Sequence, residues 1–489
     1  MKRALVLAAI VVSAASAPSS GAQPAGSAQP SSSAQPSSSA QPSPSIAASA
    51  ALPRVALPIA THTLANGLRL VVQEDHRTPR VALSLWYHVG SKDEAVGKYG
   101  FAHLFEHLML ESGSRHVEPG AFFRKLEAVG ATNIQCTTSV DRTNYREVVP
   151  SAALETALWL ESDRMAFLLD RVDARALDAQ KATVENERKL NYDDAPLRVV
   201  ERAIRAYAFP AAHPNHRAPM GEPADVAGAT LRDVRAFFQA WYAPNDATLV
   251  LAGDVDMARA KTLVEKWFGA IPARSLPARA PVPALAATSE VRLYVEAHLG
   301  DRYVFVSWPT PATFADGDVE LAVVQRILSG GRLHRRLMRD ESLAREVRVT
   351  HDQAIFGQHG ELFEIAATAL GARDHKDILA AIDDEMARVR AGDVTDAEIA
   401  SAKAGVLAEI VFAVERLHDR AERIHEYARF AGDPAFFERH RQRVEGLGRA
   451  AIVDAARRFL PNERRVVTFV LPNPQLAEIA RVVRVERRP

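Results

Sequence analysis

The sequence predicts an α+β protein made of two homologous lobes, each a mixed or antiparallel sheet packed with helices. Strand-like and helix-like segments follow one another in runs, without the strict alternation of a parallel α/β fold. Both halves of the chain also close on one pattern, a helix followed by a Pro-Asn turn and an apolar strand, at residues 231–251 and 452–471. The prolines of the two turns, Pro244 and Pro461, are 217 positions apart, about the length of one lobe. This repeat predicts a duplication with its junction in the Pro- and Ala-rich residues 272–287.

The beginning of the chain has the pattern of an export signal. Lys2 and Arg3 precede an apolar run over residues 4–15, and Ala-Ser-Ala at 15–17 is a small-residue cleavage pattern. The run is too short to cross a bilayer as a helix, so no transmembrane anchor is expected. Residues 1–22 are predicted to be a signal peptide, and the mature protein is expected to be periplasmic or secreted.

The next segment, residues 23–55, repeats Ala-Gln-Pro between Ser-rich spacers. It has almost no apolar side chains to bury, and it is therefore predicted to be a disordered linker. About 430 residues follow, which is more than one hydrophobic core usually organises. Their number agrees with two lobes.

The first lobe begins with strands and continues mainly with helices. Asn66 and Gly67 predict a turn before a strand over residues 68–72, and a second strand is predicted over 81–89. Apolar or amphipathic helical patterns follow, and an apolar strand is predicted at 247–252. The predicted helices cover residues 100–110, 119–129, 152–169, 174–191 and 231–241.

The composition narrows the classes of partner and of metal site. The 60 basic and 60 acidic residues cancel, so no positive field is available for nucleic acid and no such partner is expected. Cys136 is the only cysteine, which excludes an intrachain disulfide and a zinc site built on several cysteines. We interpret Cys136 as a small buried residue and not as a nucleophile.

The predicted helix at 100–110 carries the motif H-x-x-E-H, formed by His103, Glu106 and His107. Positions four apart share a helix face, so the two imidazoles can bind one tetrahedral zinc ion. Glu106 lies beside that face, where its carboxylate can reach a water at the metal. Three ionisable groups in an apolar helix would be costly to bury without a function. The motif predicts an inverted zincin centre.

A catalytic zinc usually has three protein ligands and a water, so a third ligand must come from elsewhere. The predicted helix at 174–191 offers two carboxylates, Glu185 and Glu187. They lie two residues apart and point about 200° apart around a helix, so only one of them can face the metal. Spacing alone leaves the choice between them open.

Four further segments carry a resemblance to a known family. Residues 63–68 have the pattern of an opening strand, residues 88–103 lead into the motif helix, and residues 141–145 and 242–254 follow. Together with H-x-x-E-H they resemble the pitrilysin, insulinase and mitochondrial-processing-peptidase family of zinc peptidases, in its shorter two-lobed bacterial form.

The resemblance implies a fold, a cofactor and an activity. It places Glu187 at the third ligand position, with one zinc ion per chain, and Glu106 as general base in an endopeptidase that cleaves peptides or unfolded segments. Residues 56–275 would form the zinc-binding catalytic lobe and residues 288–489 a second, metal-free lobe. The two lobes would make half of a clamshell around a chamber.

The resemblance also suggests how substrate is held. In the family a peptide is added as a strand at a sheet edge, near an Asn-containing strand that contacts its backbone. Gln135 takes that register here and is the candidate substrate-binding residue. The interval between His107 and Glu187 is slightly longer than is usual in the family, and the extra length is expected around residues 133–136.

The second lobe departs from the family pattern in one respect. Related proteins often carry there an Arg and, seven residues later, a Tyr that contact substrate, whereas this chain has Met338 and Arg345. We expect a homodimer, or a heterodimer with a zinc-free subunit of the same family that supplies the Arg and Tyr. The alternative function is a weakly active or inactive peptide-binding subunit of a heterodimeric peptidase.

Overall fold

The computed structural model describes residues 55–283, 285, 289–351 and 357–488. The predicted signal peptide, residues 1–22, and all but the last residue of the predicted linker, residues 23–55, lie outside this part of the chain. Within it, two six-stranded sheets each pack against helices. The predicted α+β fold of two homologous lobes with mixed sheets is confirmed.

The first sheet is mixed. Its strands are β1 (Ile59–Thr63), β2 (Arg69–Glu74), β3 (Arg80–Tyr87), β4 (Thr132–Thr138), β5 (Thr143–Pro150) and β6 (Ala247–Gly253). They are ordered β1-β2-β6-β3-β5-β4. Strands β2 and β6 are parallel, and the other neighbours are antiparallel. Strand β4 is therefore an edge strand.

The second sheet repeats this topology. Its strands are β7 (Glu290–Ala297), β8 (Tyr303–Pro309), β9 (Ala344–His351), β10 (Leu362–Ala369), β11 (Val466–Pro472) and β12 (Ala480–Arg488). They are ordered β12-β7-β11-β8-β10-β9, with β7 and β11 parallel. The order matches the first sheet strand for strand, except that one outer strand comes from the end of its lobe instead of the beginning.

Helices cover both sheets. Those of the first half are α1 (Phe101–Glu111), α2 (Phe122–Ala128), α3 (Leu154–Phe167), α4 (Ala174–Arg188), α5 (Pro196–Ala208), α6 (Pro223–Ala227), α7 (Leu231–Trp241) and α8 (Met257–Phe268). Those of the second half are α9 (Asp318–Ile327), α10 (His375–Ala391), α11 (Asp396–Phe412), α12 (Leu417–Phe430), α13 (Phe437–Gly446) and α14 (Arg449–Phe459). No helix among the described residues is long and apolar enough to cross a membrane.

Local sequence explains where the helices near the site begin and end. Helix α7 has its predicted bounds because Thr230 and Asp233 form a reciprocal capping box at its start. Helix α4 is shorter than predicted. It passes at Lys189 into a π-turn that ends at Asp193, just before Pro196 starts the next helix.

The two lobes exchange one helix each, which the sequence patterns do not predict. Helix α5 of the first half packs Val200 and Ile204 on the second sheet. Helix α12 of the second half packs Ala421 and Ile424 on the first sheet. Each exchange buries apolar side chains, so the lobes are joined by two hydrophobic contacts in addition to the chain itself.

Polar contacts fix the position of each exchanged helix on the sheet of the other lobe. Glu422 of α12 accepts hydrogen bonds from Ser84 Oγ (2.5 Å) and Asn144 Nδ2 (2.8 Å) of the first sheet. Arg205 of α5 pairs with Glu361, beside the second sheet. All of these groups are buried, so removal of Glu422 would take a buried acceptor from Ser84 and Asn144. The face of the first sheet opposite to α12 carries the site.

Candidate metal centre

Helix α1 is buried along almost its whole length and contains the predicted motif. It begins after Gly100, whose φ of 99° lies in the left-handed region. A Cβ there would lie 2.8 Å from the Met220 carbonyl oxygen and from a methyl carbon of Val226, so the close approach requires glycine. Glu94 supplies the cap that Gly100 lacks. Its carboxyl oxygens accept hydrogen bonds from the Gly100 N–H (2.9 Å) and the Ala102 N–H (2.8 Å).

Replacing Glu94 with Ala is expected to lower the free energy of unfolding by about 1–2 kcal/mol, since the first N–H groups of α1 lose their acceptors. Chemical denaturation of the zinc-free protein measures this. Glu118→Ala is the matched control, because that exposed carboxylate forms a surface ion pair with Arg171. Equal stability of the Glu94→Ala and wild-type proteins would show that the contact does not cap the helix.

The pH dependence of stability gives a second measure of the same contact. Burial of the carboxyl group raises the pKa of Glu94 to about 8, against the opposing effect of the two N–H donors. Between the ordinary pKa of glutamate and about 8, the folded protein holds a proton that the unfolded chain has lost. The contribution of Glu94 to stability must therefore fall as the pH rises through this window. Relative to Glu94→Gln, wild-type protein is expected to lose stability between pH 5 and pH 8.5.

The two histidines of the motif converge on Glu187 near the end of α4. His107 Nε2 lies 3.2 Å and His103 Nε2 3.7 Å from Glu187 Oε2, and the two Nε2 atoms are 3.3 Å apart. These three side chains are all buried, and their ligand atoms lie within 4.8 Å of one another. Among the described residues they form the one His, Cys, Asp or Glu group with such spacing.

The donor set fits a zinc ion. Two imidazole nitrogens and one carboxylate leave a fourth position open, as in catalytic zinc sites. Glu187 Oε1 is buried without a hydrogen-bond partner among the described residues, which suits a carboxylate that faces a cation. Glu185, the other candidate left open by spacing, is exposed and lies outside this group.

The electrostatic environment suits metal binding. Burial lowers the pKa of His103 well below its usual range, which keeps the imidazole neutral with a free lone pair. Burial also acts to lower the pKa of His107, but the hydrogen bond to Glu187 and nearby carboxylates raise it overall. A cation at the site would compete with a proton for the His107 ring nitrogen.

Glu106 lies beside this His103, His107 and Glu187 group and contacts strand β4. Burial raises its pKa. Thr138 Oγ1 donates a hydrogen bond to Glu106 Oε2 at 2.7 Å. Thr138 is absent from the predicted site. The signal that could have found it is strand alternation, which puts residues 136 and 138 on one face.

Burial raises the pKa of the Cys136 thiol well above its usual range. The thiol is thus neutral and poorly nucleophilic, in keeping with its interpretation as a small buried residue. Its neighbour Gln135 lies on the other face of β4, where its side chain pairs with Arg146. The Gln135 side chain therefore lies apart from the side chains around Glu106. Its contact with the backbone of a bound substrate stays a prediction.

Strand β4 contains a β-bulge where extra length is expected. Its pairing with β5 shifts between Thr132 and Gln135, so that β4 has one residue more than its partner. Asn133 within the bulge has a positive φ of 52°, a conformation that Asn tolerates. Bulges of this kind recur next to active sites, where they end or redirect strand pairing.

The two second-lobe positions that depart from the family pattern have structural contacts. Met338 is half-buried against the core of the second lobe. Arg345 is exposed and pairs with Asp301 at 2.5 Å.

Comparison with known proteins identifies two family models in this chain. The model described as "Insulinase (Peptidase family M16)" matches residues 69–217, and the model described as "Peptidase M16 inactive domain" matches residues 228–406. The first contains the site and the second covers much of the other lobe. Together they match more than half of the chain.

Individual relatives agree with these matches. The zinc protease PqqE of Helicobacter pylori is 27% identical over 384 residues, which are 75% of this chain and 82% of the relative. The crystal structure of a protease from H. pylori superposes with a TM-score of 0.78 at 23% identity, over 85% of this chain and all of that one. The periplasmic protease PqqL of Escherichia coli superposes with a TM-score of 0.73 at 19% identity, over 87% of this chain but 48% of that one.

Proposed function

Because the chain belongs to peptidase family M16, the insulinase family, we propose that it is a zinc-dependent endopeptidase acting on peptides or unfolded polypeptide segments. The observation that carries the proposal is the convergence of His103, His107 and Glu187 at ligand distances, with Glu106 alongside. The relative PqqE, which the chain matches over most of its length, is named a zinc protease.

The residues of the site have distinct roles in peptide hydrolysis. His103, His107 and Glu187 would hold one zinc ion, which polarises the scissile carbonyl and acidifies an attacking water. Glu106 would accept the proton of that water and pass it to the leaving amine. Burial raises the pKa of Glu106, which makes its carboxylate a stronger base than an exposed one.

Strand β4 supplies the surface for substrate. No strand of the described residues pairs with its outer edge, and it runs beside Glu106. A peptide added there as another strand would gain main-chain hydrogen bonds whatever its sequence. Loose sequence selectivity and a requirement for extended, unfolded substrates follow.

We expect the mature chain, loaded with one zinc ion, to cleave a pool of unstructured peptides. Removal of the metal by a chelator should abolish cleavage, and one equivalent of zinc should restore it. Mass spectrometry of the products measures both. A tightly folded protein of similar composition is the control substrate and should resist cleavage. Undiminished peptide cleavage by chelated, metal-free protein would refute a zinc-dependent mechanism.

The alternative function is that of a weakly active or inactive peptide-binding subunit, completed by a second subunit of the same family. It is favoured by Met338 and Arg345, which stand where the family resemblance implies an Arg and a Tyr. The structural neighbour PqqL is about twice as long as the matched region of this chain, so it could supply both halves of a clamshell by itself. Tight peptide binding without turnover by the zinc-loaded chain alone, and turnover on addition of a zinc-free family member, would support this alternative.

We also propose that the protein acts outside the cytoplasm, with residues 1–22 as an export signal. The basic start and short apolar run support export. The structural neighbour PqqL is described as periplasmic. N-terminal sequencing of exported protein would test where the signal is cleaved.

A further inference from the structure

Strand β4 contacts the proposed general base through Thr138, whose side chain lies on the inner face of the strand together with that of Cys136. The Thr138 hydroxyl donates a hydrogen bond to Glu106 Oε2 at 2.7 Å. The side chains of Glu106, Thr138 and Cys136 are almost fully buried. Because a buried hydrogen bond to a carboxylate is strong and directional, it restricts where Glu106 points.

The backbone N–H and C=O groups of Cys136 and Thr138 point away from β5, toward the free edge of β4. In an antiparallel pair, residues alternate between those that bond the partner strand and those whose N–H and C=O point outward. The Ser139 N–H bonds the Arg142 carbonyl at 2.8 Å, so residue 139 faces β5. By alternation residues 137 and 135 also face β5, whereas Cys136 and Thr138 direct their backbone groups to the free edge.

We propose that Thr138 is a positioning residue that holds Glu106 from the inner face of β4, the strand whose free edge would receive the peptide under the proposed function. The strand that receives the peptide is then also the strand that aligns the base. A peptide that pairs with β4 would rigidify Thr138 and so stabilise Glu106 in its reactive orientation. This inference rests on the proposed peptidase function and adds a residue to its site.

The first test compares two threonines that lie next to each other on opposite faces. Thr138→Val removes the hydroxyl that contacts Glu106 and is expected to lower kcat about 10- to 100-fold with KM little changed. Thr138→Ser, which restores a hydroxyl, should recover most of that rate. Thr137→Val is the matched control, because the Thr137 hydroxyl contacts Asn144 and Arg142 on the far face. It should stay within about threefold of wild type.

A second test does not depend on turnover. In zinc-loaded Glu106→Gln protein, an unstructured peptide should slow hydrogen exchange in the fragment spanning residues 132–138, where the outward amides of Cys136 and Thr138 lie. The zinc affinity of Thr138→Val should equal that of wild type, because Thr138 holds the base and not the metal. Unchanged exchange in this fragment at saturating peptide would overturn the assignment of the substrate edge.

The failure of this inference differs from the failure of the proposed function. If the wild-type chain cleaves peptides and Thr138→Val is as fast, the positioning role is wrong and the peptidase function stands. If Thr138→Val and Thr137→Val lose rate equally, the loss reflects the strand and not the contact with Glu106, which also overturns the inference. Wild-type protein without any cleavage, alone or with a second subunit, would remove the proposed function itself.

Discussion

Glu106→Gln is expected to lower kcat by about 10²- to 10⁴-fold, the range that a general acid–base group usually supplies. The amide has nearly the shape of the carboxylate but cannot accept the proton of the attacking water. Zinc binding should persist, because His103, His107 and Glu187 form the ligand set and Glu106 lies beside it. Steady-state hydrolysis of an unstructured peptide, with metal analysis of the same samples, measures both effects.

Glu111 provides the matched control for this substitution. It lies on the same helix, at its last residue, and its side chain is exposed. Glu111→Gln should therefore leave kcat and zinc content close to the wild-type values. If Glu106→Gln retained the wild-type rate with zinc bound, another group would have to act as the base.

The second large effect concerns the third ligand. Glu187→Gln is expected to weaken zinc binding by at least about 100-fold, since loss of partners outside the ligand set alone commonly costs 10- to 100-fold. Activity at low zinc concentration should fall in parallel. Competition with a chromogenic chelator measures the affinity directly.

Glu185→Gln is the matched control for the proposal that Glu187 is the third zinc ligand. Glu185 is two residues away on the same helix and exposed, so its replacement should leave zinc affinity unchanged. The opposite result, weakened binding in Glu185→Gln and normal binding in Glu187→Gln, would reverse the assignment that spacing alone leaves open. Loss of affinity in both variants would point instead to a disturbed helix α4.

The centre was accessible to sequence reasoning because its chemistry is local. His103, Glu106 and His107 lie within one and a half turns of helix, so periodicity alone places them together. Glu187 comes from another helix, and periodicity reduces the choice to two carboxylates without deciding between them. The tertiary packing of α4 on α1 makes the difference, with Glu187 buried and Glu185 exposed.

Features that depend on long-range packing escape the sequence patterns. The exchange of α5 and α12 between lobes requires knowing which sheet each apolar face meets, and both faces look like ordinary amphipathic helices. Predicting the contact of Thr138 with Glu106 requires knowing how β4 packs against α1. The bulge near Asn133 depends on the pairing of β4 with β5, which the sequence patterns do not give.

The most direct test of a zinc peptidase centre is a titration of the metal-free chain with zinc while peptide hydrolysis is followed. We predict that the rate rises linearly and saturates at one zinc ion per chain. Under the same conditions Glu106→Gln should bind one zinc ion without a comparable rise in rate. Saturation at one equivalent with an equal rise in Glu106→Gln, or hydrolysis that is already complete before zinc is added, would contradict the account.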